Sequence, residues 1–447
     1  MQASVDPSVA ARPSLRRAWW IWGVGAVAYL VAMLHRMALG VAGSDAAERF
    51  DVPVGSLAIF TSLQLVLYLA MQIPAGLLAD RFGPRRTLAI GLALMATGEL
   101  LFGVAHSMGL GLTGRALVGI GDALTFLNVL RLAHAWFPSR LQSLLAALTG
   151  LAGAFGQLVS TVPLEASLAT LGWGGTFLGL AGVTAVLVVV PLTLVQDRPG
   201  PRRRRRAAAA GDTPVPEAIR HEPIGRTLAD AWRRPATRQG FFVHMATLTP
   251  FMVCGAVWGV PYLTGTQDMT RASAASFLLV GSLAFVVTSP LVGLLIGDDA
   301  RRGRIAALVF PAVSAAAWLV LLLWPGGTVP RGVLLGALAL TGVGAGASVI
   351  GFELARRAAP PAASGAAAAL VNCGGFSASV LAALVIGRLI GDGTGGASTT
   401  QHAMAPILAA ALLGLAGSVY YGRRVAAERR AAEHDAVPPA GAAVAAD

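Results

Sequence analysis

Twelve apolar stretches, each roughly 18 to 25 residues long, limit the folds open to this chain, because each is long enough as a helix to cross about 30 Å of hydrocarbon. They cover about 18–41, 55–79, 87–105, 109–133, 143–165, 174–195, 240–264, 274–297, 304–324, 332–355, 364–390 and 404–422. Within lipid, every backbone N–H and C=O must find its partner inside the protein, so the pattern predicts an all-α integral membrane protein. With 13% charged residues and a mean hydropathy of +0.68, the chain also lacks the polar surface a soluble body of 447 residues would need. Pro74, Pro163, Pro250, Pro261, Pro290 and Pro311 fall inside the stretches, a pattern that a packed membrane bundle accommodates. The first stretch is too long for the core of a cleavable signal peptide, and "VAG" at 41–43 is a chance likeness to a processing site.

Residues 196–239 break the pattern with "PGPRRRRRAAAAGDTPVPE" and an amphipathic piece, "IGRTLADAWRRP". The expected organisation is therefore a tail (1–17), a six-helix bundle (18–195), a basic linker (196–239), a second six-helix bundle (240–422) and a second tail (423–447). The run Arg202 to Arg206 suits anionic lipid headgroups beside a membrane better than nucleic acid. All 34 basic residues are Arg, and their placement sets the expected orientation. With the N-terminus inside, 27 fall on the inner side, only Arg49, Arg271, Arg331 and Arg388 face out, and Arg36, Arg115 and Arg131 lie within or at the ends of stretches. The chain is thus expected to be integral to the cytoplasmic membrane with both termini on its inner side.

The segment "PAGLLADRFGPRRTL" (74–88) joins the second and third stretches on that inner side, with Gly76, Gly83 and Pro84 allowing a tight turn. Its core, "GLLADRFGPRR", resembles the signature G-x-L-a-D-R-x-G-R-[RK] of the major facilitator superfamily, with Pro84 where a basic residue is usual. "GRALVGIGDALTF" (114–126) is similar to the Arg-containing motif of that family's helix 4, and "GLLIGDDARRGR" (293–304) looks like a degraded copy of the first-half loop. The resemblance implies two pseudo-symmetric six-helix bundles that rock about a central cavity. It also implies that Gly76, Asp80, Arg81, Gly83, Arg85 and Arg86 form a gating loop, with Asp80 latching onto the start of span 11, where Ser364 is a candidate cap. In the second half the acid has slipped to Asp298 or Asp299, so the gating role is not transferred there.

Ionisable groups inside a membrane are costly, which makes each a candidate for function. His35 and Arg36 sit about two-thirds of the way across the first stretch. Arg36 either snorkels to headgroups or binds an anion. The second reading is the one the resemblance implies, since helix 1 of the family's anion-transporting branch often carries an Arg near this point, with an acid where His35 stands here. Gln64, Tyr68 and Gln72 recur every four residues, forming a stripe that faces either the cavity or a neighbouring helix. In the fourth stretch Arg115, Asp122, Asn128 and Arg131 interrupt the apolar sequence. Arg115 and Asp122, two turns apart, are too distant for a direct pair. Asp122 is a candidate proton site if burial raises its pKa, or a structural acid held by a neighbour. Arg115 resembles the helix 4 Arg that the family associates with proton coupling or substrate charge, whereas Arg131 reads as end structure.

In the second half Trp258, Asn372 and Glu353 stand out. Glu353, a second candidate proton site, precedes Arg356 and Arg357 by three and four residues and is also placed for a local pair. Trp258 and Asn372 serve either the cavity or helix packing. Cys254 and Cys373 read as packing residues, and the Gly-rich runs lack the strand and Lys of a phosphate site. No metal or cofactor site and no enzymatic constellation is evident. The expectation is a secondary transporter, acting as a monomer, for a small polar and anionic solute coupled to protons. Drug or metabolite efflux is the alternative, although the Gly-Pro step common in efflux helix 5 is absent from "ALTGLAGAFGQLVSTVP", where Gln157 follows Gly156. A solute sensor would need a folded signalling segment that 196–239 does not resemble.

Overall fold

The computed structural model describes residues 15–138, 141–197, 224–296, 299–360, 363–391 and 397–435. Among them there are helices and no strands. Ten helices are long and apolar enough to cross a membrane. One of these, Leu148–Leu194, contains two crossings, and the shorter apolar segment Val54–Ala70 completes a twelfth with its continuation to 82.

Span 1 is Leu15–Phe50, and span 2 is Leu57–Ala70 followed by 72–82. At Gly83 the backbone turns with φ 79°, a conformation a Cβ disfavours, and span 3 begins. There the first-half loop is tied down by a residue from the far end of its bundle: the backbone N–H of Arg85 donates to Asp197 Oδ1 at 2.6 Å. The second half repeats the device locally. Asp299 accepts from the N–H groups of Arg301 and Arg302 at 2.7 and 3.2 Å and caps span 9, Ala300–Leu323. Those two N–H groups, Arg302's first, hold the Asp299 carboxyl below its ordinary range.

Span 4 runs Met108–Ala123 and Phe126–Trp136, span 5 Gln142–Val159 and 162–171, and span 6 173–194. Span 5 is longer than hydropathy suggested because its helix continues to a turn at Gly172, φ 67°. Span 1 likewise continues past 41, carrying Asp45 and Arg49 on its last turns. Span 7 is Pro235–Val253, a π-helical turn Cys254–Trp258, and Gly259–Gly265. Span 8 is Arg271–Ile296, span 10 Arg331–Ala347 and Val349–Ala358, span 11 Ser364–Ile390, and span 12 Ala405–Asp435. The amphipathic piece of the linker forms a helix, Ile224–Arg233, whose Ala231 packs with Ala355, Ala367 and Val371. Arg202 to Arg206 lie outside the described residues.

Small residues let the helices approach closely. Spans 3 and 4 meet along Gly91, Gly98, Gly114 and Gly121, where an added Cβ would strike the facing backbone carbonyl. The two halves join in the same manner at the end of the bundle carrying Gly55. Gly40 faces the Gly255 carbonyl, Gly55 packs on Gly387, and Gly55 N–H donates to Gly391 O at 3.1 Å. Spans 1 with 7, 2 with 11 and 5 with 8 make these contacts. At the end carrying Gly83, the terminal segments of spans 4 and 10 make no substantial contact across the halves among the described residues.

Candidate functional site

Near the middle of the first bundle a charged network is sealed from solvent. Arg36 is 2% exposed, and His35, Glu99, Arg115 and Asp122 are 0% exposed. Arg36 does not snorkel. It grips Asp122 with both arms of its guanidinium fork, Nε to Oδ2 at 2.7 Å and Nη2 to Oδ1 at 2.9 Å. Such a planar, bidentate pair is the strongest form of a charge-assisted hydrogen bond. The guanidinium also lies 4.3 Å from the ring centroid of Tyr68 and 5.2 Å from that of Phe376. Phe376 belongs to span 11, so Arg36 sits at the junction of the two halves.

A second set of partners is centred on Arg115. It donates to Gln64 Oε1, to the His35 carbonyl at 3.0 Å and to Glu99 Oε1 at 3.4 Å. His35 Nδ1 lies 3.0 Å from the same Glu99 oxygen, and its Nε2 is 2.9 Å from Thr184 Oγ1. Arg115 packs over Phe102 of span 3 rather than against the second half. The two arginines therefore differ in what they can do. Arg36 faces the partner bundle, whereas Arg115 ties spans 1, 2, 3 and 4 together. The network sets two guanidinium groups, Arg36 and Arg115, against two carboxyl groups, Asp122 and Glu99, and such pairing is what makes buried charge tolerable.

Local backbone breaks explain how the acids are held. Span 4 loses its regular helical ladder after Ala123: Asp122 O accepts from both the N–H and the Oγ1 of Thr125, at 3.0 and 2.7 Å, and Asn128 Nδ2 donates to Leu124 O at 2.7 Å. Asn128 thus serves the break and is not joined to the charged network. In span 7 the π-helical turn places Ala256 O 3.4 Å from Thr61 Oγ1 across the halves, and Trp258 donates to Ala383 O of span 11 at 3.1 Å. Trp258 is fully buried as a tie between helices. Asn372 lies beside His244 of span 7. Glu353 pairs with Arg356 at 2.6 Å and with Arg357 at 2.5 Å near the end of span 10, away from the Arg36 network. In the loop between spans 2 and 3, Gly83 and Arg85 are placed against Asp197, Arg81 stacks over Phe82, and Arg86 is exposed. Gly76 faces Arg131. The Asp80 and Ser364 side chains lie outside the described residues.

Two features were not anticipated from the sequence. Glu99 is the hub of the Arg115 and His35 contacts, although an acid in the middle of an apolar stretch is the signal that singled out Asp122. Arg271, at the start of span 8, grips Asp45 of span 1 through both Nη atoms at 2.7 Å and so clamps the halves at the Gly55 end. Beside this clamp is a depression of about 470 Å³ containing Glu48, Arg49, His106 and Glu165.

Two helical bundles meeting around buried, mutually paired charge define a membrane carrier of the two-sextet kind. The profile of the Major Facilitator Superfamily matches residues 25–383, and the chain belongs to that family. It is 25% identical over 280 residues to the probable sulfoacetate transporter SauU of Cupriavidus necator, covering 62% of each chain. It is 22% identical over 375 residues to the probable galactarate/D-glucarate transporter GudP of Escherichia coli, covering 80% of this chain and 83% of that one. It is also 28% identical over 316 residues to human monocarboxylate transporter 11, covering 68% of this chain and 64% of the relative. The matches to SauU and to the human protein thus span less than two thirds of those relatives. A bacterial homologue of the human lysosomal transporter Spinster, solved inward-facing and unoccupied, superposes with a TM-score of 0.70 at 12% identity, over 92% of this chain and 97% of that one. The family and these relatives are transporters, not enzymes.

Proposed function

We propose that this protein carries a small organic anion across the cytoplasmic membrane by alternating access, and that one proton moves with it through Asp122. The observation that carries this reading is the position of Arg36: it stands where the two halves meet, and the Nε–Nη2 edge of its guanidinium is occupied by Asp122. A solute carboxylate or sulfonate binds that edge bidentately only by displacing the resident carboxylate. A displaced carboxylate left in an apolar interior is costly, so it takes up a proton. Anion arrival and protonation are then two sides of one exchange on Arg36. When the anion departs, Asp122 releases its proton and returns to the fork. Arg115, Glu99, Gln64 and His35 hold the walls of this site in place.

The Arg distribution supports placing the Gly83 end in the cytoplasm. On that orientation the Gly55 end, closed by the glycine contacts and the Arg271–Asp45 clamp, faces outward, and the described arrangement is shut to the outside. The named substrates of the relatives, sulfoacetate and galactarate or glucarate, are anions and support the choice of solute class. The test is binding to purified protein, followed as thermal shift against a panel of carboxylates and sulfonates. Arg36→Ala is expected to abolish the shift, and Arg36→Lys to weaken it because a point charge cannot replace the fork. Undiminished anion binding by Arg36→Ala would overturn the reading.

A further inference from the structure

Where spans 7 and 12 lie side by side at the Gly83 end, arginine and aromatic side chains alternate along the surface of the second bundle. Arg238 is held between two rings, its guanidinium carbon 5.4 Å from the Trp232 centroid and 5.6 Å from that of Tyr421. Tyr421 packs edge-to-face on Tyr420 at 4.9 Å, and the Arg424 guanidinium stands 5.1 Å over Tyr420. The order is thus Trp232, Arg238, Tyr421, Tyr420 and Arg424, drawn from the linker helix, span 7 and span 12. Arg238 commits only its Nε, which donates to the Trp232 carbonyl at 2.7 Å, and its two Nη groups have no protein acceptor among the described residues. Arg424 has no carboxylate partner there either, although the exposed Glu428 follows it by one turn. Two cations steadied by rings, with their outer donors unspent, suit the oxygens of a phosphate.

The face of span 12 that leads to this ladder shows what carries the phosphate. Leu413, Ala416, Tyr420 and Arg424 follow one another at three- and four-residue steps and so share one side of the helix. Leu413 is 64% and Tyr420 52% exposed, and Ala416 and Arg424 are exposed with them. From Leu413 to Arg424 the helix rises about 16 Å, half of the ~30 Å of hydrocarbon in a bilayer. Apolar, then amphipathic, then charged side chains over that distance match the acyl chain, interface and head group of one leaflet. From this match we infer that Arg238 and Arg424 hold the phosphodiester of an anionic phospholipid in the leaflet on the Gly83 side, with its acyl chain along Ala416 and Leu413. A free phosphate would use the arginines and leave the apolar strip bare. A zwitterionic lipid would bring a cationic group to a seat that offers it no carboxylate.

Lipid titration of the purified, delipidated protein tests the seat, with bound lipid counted by native mass spectrometry. Phosphatidylglycerol should bind saturably and roughly thirtyfold tighter than phosphatidylcholine, the combined effect of two arginines beside a lipid phosphate. Glycerol 3-phosphate, which carries the phosphate without chains, should not compete. Arg238→Gln and Arg424→Gln should each weaken phosphatidylglycerol about fivefold, and Arg424→Lys by less, since it keeps the charge. Arg424 is exposed and ties no helices together, so Arg424→Gln should melt with the parent and report lipid affinity alone. Arg429→Gln combined with Arg430→Gln removes two exposed charges beyond the seat and should change affinity by less than about twofold at physiological salt. Equal binding of the two lipids, competition by glycerol 3-phosphate, or a loss in the Arg429 and Arg430 double variant as large as that in Arg424→Gln would overturn the assignment.

Discussion

Neutralising Asp45 isolates the contribution of the clamp at the Gly55 end. In Asp45→Asn, one of the two 2.7 Å hydrogen bonds from Arg271 loses its acceptor and the other keeps only a neutral amide oxygen, beside the long contact, 3.4 Å, to Val41 O. A fully exposed ion pair is worth about 0.2–1 kcal/mol, and breaking a buried one costs about 3–5 kcal/mol. The Arg271 and Asp45 side chains are 36% and 28% exposed, so an intermediate loss of about 1–2 kcal/mol is expected after allowing for solvent screening. At 1.4 kcal/mol per factor of ten, the population closed at the Gly55 end falls roughly five- to thirtyfold relative to the open one. Spin labels at Ser44→Cys and Ala272→Cys, exposed positions beside each partner, report the separation when Cys254 and Cys373 are replaced by Ala. Pulsed dipolar distances should gain a longer component in Asp45→Asn. The charge-swapped pair Asp45→Arg with Arg271→Asp should restore the short one, and high salt should weaken the clamp in the parent. Identical distance distributions in the parent, Asp45→Asn and the swapped pair would refute the clamp.

Other substitutions probe the remaining contacts. Glu99→Gln leaves Arg115 buried with a neutral partner and should lower stability by about 3 kcal/mol, read as a fall in the melting temperature of the detergent-solubilised protein. Gly83→Ala places a Cβ at 2.6 Å from Asp197 Oδ2 in a backbone with φ 79°, and should cost roughly 2–3 kcal/mol while loosening the loop, measured by protease sensitivity between spans 2 and 3. Glu353→Gln disturbs a half-buried local pairing with Arg356 and Arg357, and should change melting by under about 1 kcal/mol equivalent and leave proton-driven uptake intact in flux assays.

Hydropathy made the twelve crossings legible because the bilayer imposes its thickness on each one, and only the ends moved. Span 1 ran on to Phe50 and span 5 to 171, where helix ends emerge from lipid and apolarity no longer marks them. Arg36 and Asp122 were legible as costly intramembrane charges, and the two-turn spacing of Arg115 and Asp122 was enough to deny them a direct pair. Their partners were not legible. Arg36 meets Asp122 across 86 residues, and nothing local in either segment encodes which helices become neighbours. Glu99 obeyed the same rule as Asp122 and could have been found with it. The clamp was hidden for another reason: Asp45 and Arg271 lie at span ends, where charge is ordinary. Trp258 was open between cavity and packing because it is aromatic within an apolar helix, and its indole N–H goes to the Ala383 carbonyl.

The exchange of anion and proton on Arg36 is tested most directly by flux in proteoliposomes with an imposed pH gradient, comparing the parent with Asp122→Asn. The parent should accumulate an organic anion against its gradient when the proton gradient runs the same way. Asp122→Asn should still exchange anion across the membrane but no longer accumulate it. Accumulation by Asp122→Asn equal to that of the parent would contradict the account.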